Sequence, residues 1–214
     1  MARAVRAVLL GLGELLITVG AVLVLFIAYD LWGTGAYTHD AQNTLQRQLK
    51  HSWSLPTEHI KPVEGKGLAI IRIPRFGKNY HFVILEGTSE PILRRGPGHY
   101  KGTALPGQRG NFVVSGHRTT YAAPFNKADE LRRGDPIIID TKKREYVYKV
   151  TRKQVVLPTD IAVTYPVPFH RNARPKHAMI TLTTCHPMYS ASHRLIIFGR
   201  LAERRARHTG SGEG

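Results

Sequence analysis

The chain holds one cysteine, Cys185, so no disulfide can form within it and its thiol is left for packing or for chemistry. A lone cysteine often serves only as a small buried hydrophobe. The surroundings of Cys185 argue for more: Thr181, Leu182, Thr183 and Thr184 continue a strand-like run that begins at Ala178, and Pro187 ends it just after the thiol. A side chain at a strand end is rigidly held and still reachable. Attack on an amide needs a thiolate, and a thiolate needs a cation or a base beside it. His117 closes another strand-like run, Val113 to Gly116, just past a glycine that lets the backbone turn. Spacing alone does not choose it over His177 or over His186, although His186, next to Cys185, would point to the opposite face of an extended chain. Arg194 lies nine positions after Cys185 (194 minus 185) and opens the last apolar run. A loop over 187–193 would return the chain as an antiparallel neighbour and bring the guanidinium near the thiol. There its planar fork can support a developing oxyanion. In a chain with 31 lysines and arginines the ordinary role is a solvated charge, and only position sets Arg194 apart.

The elements that must position these groups read as β-strands. From Gly67 the texture is short runs rich in Ile, Val and Tyr, punctuated by Gly and Pro, which predicts an all-β domain. Strands are expected over 68–73, 82–86, 111–116, 136–140, 144–154, 178–184 and 194–201, with short helical pieces at 90–93 and around 122–130. Residues 33–65 are polar and weakly patterned, with room for a short helix over 41–53, and are read as a stalk. The end of the chain carries Arg204, Arg205 and Arg207 and then Gly and Ser, too little apolar surface to fold, so 203–214 are expected to be a mobile basic tail.

With 214 residues, 42% hydrophobic and 21% charged, the chain suits one catalytic domain with an appendage. The appendage is the N-terminus. After Arg3 and Arg6 an apolar run from Leu9 to Tyr29 is broken only by Glu14, and its length, about 30 Å as helix, matches the hydrocarbon core of a membrane. A cleaved signal peptide would have a shorter apolar core, and here the run ends at the interface-seeking aromatics Tyr29 and Trp32. Residues 1–8 are therefore expected in the cytoplasm, 9–29 as a single membrane span, 30–66 as an external stalk and 67–202 as an external catalytic domain. The net charge of +16 favours an anionic partner. For an exported domain without a nucleic-acid-binding signature, that partner is the cell envelope and not nucleic acid.

The string TLTTCHP at 181–187, the arginine nine residues after its cysteine, the upstream SGHRTTY at 115–121 and the segment GHYKGTALPGQ at 98–108 together resemble the sortase family, and in form most resemble its class E members. The resemblance covers about residues 67–201. It implies an eight-stranded β-barrel in which Cys185 forms an acyl-enzyme, His117 acts as acid and base, and Arg194 supports the transition state. It also places Thr184 beside the substrate groove and Tyr100 near the second position of a sorting signal of the Leu-Ala-x-Thr-Gly or Leu-Pro-x-Thr-Gly type. The implied partners are surface proteins bearing such a signal and an amine of the lipid-linked peptidoglycan precursor. Two departures narrow the reading. No Asp-Pro-aromatic lid of pilus-building members occurs between Thr38 and Lys66, and no acidic cluster resembles a calcium site, so no metal or other cofactor is expected. An L,D-transpeptidase would need a Ser-His-Gly-Cys segment that is missing, and a papain-like protease places its cysteine before its histidine. The non-enzymatic alternative is a silent barrel that holds wall polymer by its basic face.

Overall fold

In the computed structural model of the chain, residues 2–29, 33–56 and 61–207 are described. Eight strands close into a barrel in the order β1-β2-β3-β4-β7-β8-β6-β5. They are β1 (Gly67–Arg72), β2 (His81–Glu86), β3 (Gly98–His99), β4 (Gly110–Ser115), β5 (Pro136–Asp140), β6 (Arg144–Val156), β7 (Ala178–His186) and β8 (His193–Ala206). The pairs β2/β3 and β4/β7 are parallel and the other pairs antiparallel. Alternate residues fill the barrel: Ile71, Ile84, Phe112, Val114, Ile137, Ile139, Tyr148, Ile180, Leu182, Leu195 and Ile197 form one buried cluster, as the period of two requires. The seven expected strands all occur, and the eighth is β3, whose two residues are too few to carry a period.

Helix α1 (Ala2–Ala28) is apolar along its length and long enough to cross a membrane. Trp32 and Asp30 lie outside the described residues. The expected stalk is corrected by α2 (Thr34–Ser54), which packs on the barrel. Its buried positions Thr34, Thr38, Gln42, Leu45, Leu49 and Trp53 recur at helical spacing. The lower three meet Ile70, Val83, Leu85 and Ile92 in a second apolar cluster. The upper three are polar, and their partners are backbone. Gln42 donates from Nε2 to the carbonyls of Val83 (3.1 Å) and Arg95 (2.8 Å) and accepts from the Val83 amide (2.6 Å), while the Thr38 hydroxyl donates to the Arg94 carbonyl (2.7 Å). A second correction concerns the basic end: β8 continues to Ala206, with Arg204 opposite Tyr146 and Arg205 opposite Glu145. The long β6 offers these residues a ladder, which supplies the order their side chains cannot. Residues 208–214 of the expected tail lie outside the described residues.

Candidate active site

Because β4 and β7 run parallel, their C-terminal ends reach the same rim of the barrel. Ser115 stands beside Thr183, and two residues further along each chain come His117 and Cys185. β8 runs back along the other side of β7, with Arg194 directly opposite Cys185. Opposed residues of an antiparallel pair share a face. Since Ile180, Leu182, Leu195 and Ile197 point into the core, Cys185 and Arg194 are on the outer face. The register thus gathers the expected trio at one edge of three neighbouring strands.

The junction between β4 and β7 is tied twice more. The Gly116 amide donates to the Thr183 carbonyl (3.1 Å), and the Thr184 hydroxyl donates to the Gly116 carbonyl (2.8 Å). Thr184 is only 3% exposed, so its hydroxyl sits behind the site and fits a positioning part better than direct contact with a substrate. Gly116 is not among the glycines with positive φ; a Cβ there would lie 2.8 Å from the Phe125 ring, so close packing and not a turn requires glycine. Tyr100 follows β3, its amide donating to the Val113 carbonyl (2.9 Å), which puts it beside the strand that leads to His117.

Burial depresses the basicity of His117, with the Arg94 charge acting in the same direction and Glu90 opposing both. The ring is therefore neutral at neutral pH and able to take a proton. Its Nε2 is buried with no hydrogen-bond partner among the described residues, and its face lies against Tyr121, with ring centroids 4.9 Å apart at 44°. Cys185 is a half-buried free thiol. The Arg194 guanidinium donates to the carbonyls of Ala191 (2.9 Å) and His193 (3.0 Å). His186 alternates to the opposite side of β7, as expected.

There it meets a residue that the sequence reading passed over. Arg118, 3% exposed, donates from Nη1 to the Cys185 carbonyl (3.3 Å) and to His186 Nδ1 (2.9 Å), and pairs through Nη2 with Asp129 (3.0 Å). One guanidinium thus links the chain after His117 to the backbone of Cys185. The only sequence signal was parity, since an arginine two residues after Gly116 falls on its inward side and must find buried acceptors. Asn111, also missed, pins the covering segment between β6 and β7. Its Nδ2 donates to the carbonyls of Val163 (2.9 Å) and Tyr165 (3.1 Å), and its Oδ1 accepts from the Thr181 hydroxyl (2.7 Å). Among the described residues no three of His, Cys, Asp and Glu are grouped to hold a metal ion. The site can offer a thiol, a neutral imidazole and a guanidinium within one rim, a set suited to acyl transfer from an amide.

A family profile described as "Sortase domain" matches residues 71–202. Sortase SrtE1 of Streptomyces coelicolor is 35% identical over 208 residues, an alignment covering 93% of this chain and 58% of that protein, so the chain spans less than two thirds of that relative's length. Among solved structures, SrtF sortase from Corynebacterium diphtheriae superposes with a TM-score of 0.69 at 29% identity, covering 75% of this chain and 96% of that one. Sortase E1 from Streptomyces coelicolor with a tripeptide in the active site gives 0.63 at 34% identity, covering 72% of this chain and 98% of that one.

Proposed function

The chain belongs to the sortase family, and from that premise we propose that it is a membrane-anchored cysteine transpeptidase. It acts on surface proteins that carry a Leu-Ala-x-Thr-Gly or Leu-Pro-x-Thr-Gly sorting signal. The single observation that carries this reading is the register that sets Arg194 opposite Cys185 on β8 and brings His117 to the same rim from β4. The relative with a tripeptide in its active site supports a peptide substrate.

In the first half-reaction the Cys185 sulfur attacks the threonine carbonyl carbon, and His117 accepts the thiol proton. The C–N bond to glycine breaks, His117 returns the proton to the leaving amine, and the threonine remains as a thioester. Arg194 leaves the carbonyls of Ala191 and His193 to hold the oxyanion, exchanging two neutral acceptors for a charged one. In the second half an amine of the peptidoglycan precursor attacks the thioester and loses its proton to His117, the C–S bond breaks, and His117 returns that proton to the departing Cys185 sulfur. One amide is formed for each one broken, so no outside energy is required. α1 holds the enzyme in the cell membrane with Arg3 and Arg6 on the cytoplasmic side and the barrel outside, where its positive charge faces the anionic envelope. Tyr100 contributes to the choice of residue at the second signal position.

The test is to incubate the full chain in detergent with a panel of sorting-signal peptides and hydroxylamine. Cleavage after threonine with a threonine hydroxamate product is expected, and Cys185→Ala should abolish it without lowering the melting temperature appreciably. Cleavage by Cys185→Ala, or cleavage without hydroxamate, overturns the mechanism. No cleavage of any peptide would favour a silent wall-binding barrel.

A further inference from the structure

The chain after His117 is unusually strained. Tyr121, Ala122 and Ala123 have φ of 53°, 58° and 42°, three successive side-chain-bearing residues in a region that favours glycine. Such a run persists only where its surroundings over-determine it. The restraints come from three directions. From the loop itself, the Ala123 amide donates to the Thr120 carbonyl (2.9 Å) and the Phe125 amide to the His117 carbonyl (3.0 Å). From the barrel, the Tyr80 hydroxyl donates to the Pro124 carbonyl (2.6 Å). From α2, the Thr34 hydroxyl accepts the Tyr121 amide (3.2 Å).

These restraints bring the Tyr121 ring against His117. The ring's other contact is the Arg94 guanidinium, 5.7 Å from its centroid. Arg94 is in turn held by Glu90 and, through its carbonyl, by the Thr38 hydroxyl (2.7 Å). Two threonines one turn apart on α2 therefore clamp both sides of the tyrosine. Among the described residues none is hydrogen-bonded to the buried Nε2 of His117, so within the protein a hydrogen bond there does not set the ring plane. Ring packing has to set it.

We propose that Tyr121 is a positioning residue that fixes the plane of the His117 imidazole, and that the first turns of α2, outside the barrel, hold it in place through Thr34 and Thr38. This inference rests on the reading of His117 as the acid–base partner. The charged groups that bear on His117 are Glu90, which opens α3 (Glu90–Leu93), and Arg94, which follows it, while Cys185 on β7 and Arg194 on β8 stand at the same rim. Opening the Tyr121 side would admit water and let His117 return toward ordinary imidazole basicity.

The experiment compares Tyr121→Phe, Tyr121→Gly, Thr34→Val and His117→Ala in the full chain, reading kcat, KM, the pH profile and thermal melting. Glycine accepts the positive φ, so Tyr121→Gly removes the ring while relieving the backbone. It is expected to lower kcat roughly 10- to 100-fold with KM nearly unchanged, the scale of a small misplacement of a reacting group, and to move the acidic limb of the profile toward higher pH. Tyr121→Phe keeps the ring and should keep wild-type kcat, and Thr34→Val should show a smaller loss, again in kcat. A Tyr121→Gly enzyme with wild-type kcat and acidic limb, or one altered in KM alone, overturns the inference while an inactive His117→Ala leaves the assignment of His117 standing. An active His117→Ala overturns that assignment and this inference with it.

Discussion

Cys185 and His117 arrive at one rim on unlike supports. The nine residues of β7 lie between β4 and β8, and the ladder with β8 continues past Cys185 to His186. Cys185 is placed by the backbone hydrogen bonds of the β7 ladder, with the Arg118 guanidinium added at its carbonyl. His117 lies two residues beyond the end of β4, and past it the chain enters a strained turn held by Thr34, Tyr80 and Arg94. Its position depends on individual side chains, most of them distant in sequence. On the proposed assignment, such a site has a fixed attacking atom and an adjustable proton carrier. Substitutions far from the thiol should therefore reach the chemistry through the histidine.

The sharpest test removes the adjustable member itself. His117→Ala should lower kcat by something on the order of 10²- to 10⁴-fold, the range for a general acid–base group, while labelling of Cys185 by a small thiol reagent continues. The wild-type pH–rate profile should be bell-shaped, with apparent values that belong to the Cys–His pair. The limb governed by the imidazole should lie on the acidic side of its ordinary range.

A smaller effect is expected where the two supports meet. Arg118→Met keeps much of the volume but strands His186 Nδ1 and the Cys185 carbonyl, so melting should reveal a loss of about 1–3 kcal/mol, the penalty for buried groups left unsatisfied. Turnover should fall as well, because the backbone of the nucleophile loosens. Unchanged turnover at reduced stability would show that the β7 ladder alone suffices for Cys185.

The smallest effect is in stability against pH. Burial lowers the His117 value in the folded chain, so between the ordinary imidazole value of about 6.5 and that lower folded value the unfolded chain binds more protons. Stability must then fall as the pH falls through this window. His117→Gln should flatten that slope, as followed by denaturant midpoints from neutral to mildly acidic pH. An unaltered slope would show that His117 is not the buried, adjustable member.

The strands were legible because they depend on local pattern, and the proposed trio was named from the family motifs, whose residues the register then gathers at one rim. A short isoleucine run between Pro136 and Asp140 marked β5, and the neighbouring places of β4, β7 and β8 brought together residues spaced as the family motifs are. What escaped was order supplied by polar side chains. Thr34, Thr38 and Gln42 occupy the buried stripe of α2, yet they satisfy barrel backbone and so contribute no hydrophobic signal. The ordered part of the basic end was hidden for a related reason, because the order of Arg204 and Arg205 comes from the β6 ladder. Arg118 escaped because its partners, the Cys185 carbonyl and His186, are 67 and 68 positions away.

The hydrogen bond between Thr34 and Tyr121 also bears on where in space the reaction can take place. Thr34 lies five positions after Tyr29, the last of the apolar run (34 minus 29), and even a fully extended chain of that length reaches only about 18 Å. With α1 in the bilayer, the loop that carries His117 therefore works within a thin layer over the lipid surface, about two Debye lengths deep at physiological salt. On the proposed function, the lipid-linked acceptor diffuses within that layer. Encounter then becomes a search over an area and not through a volume, and rates measured with the enzyme and peptides free in solution will understate the rates on a membrane.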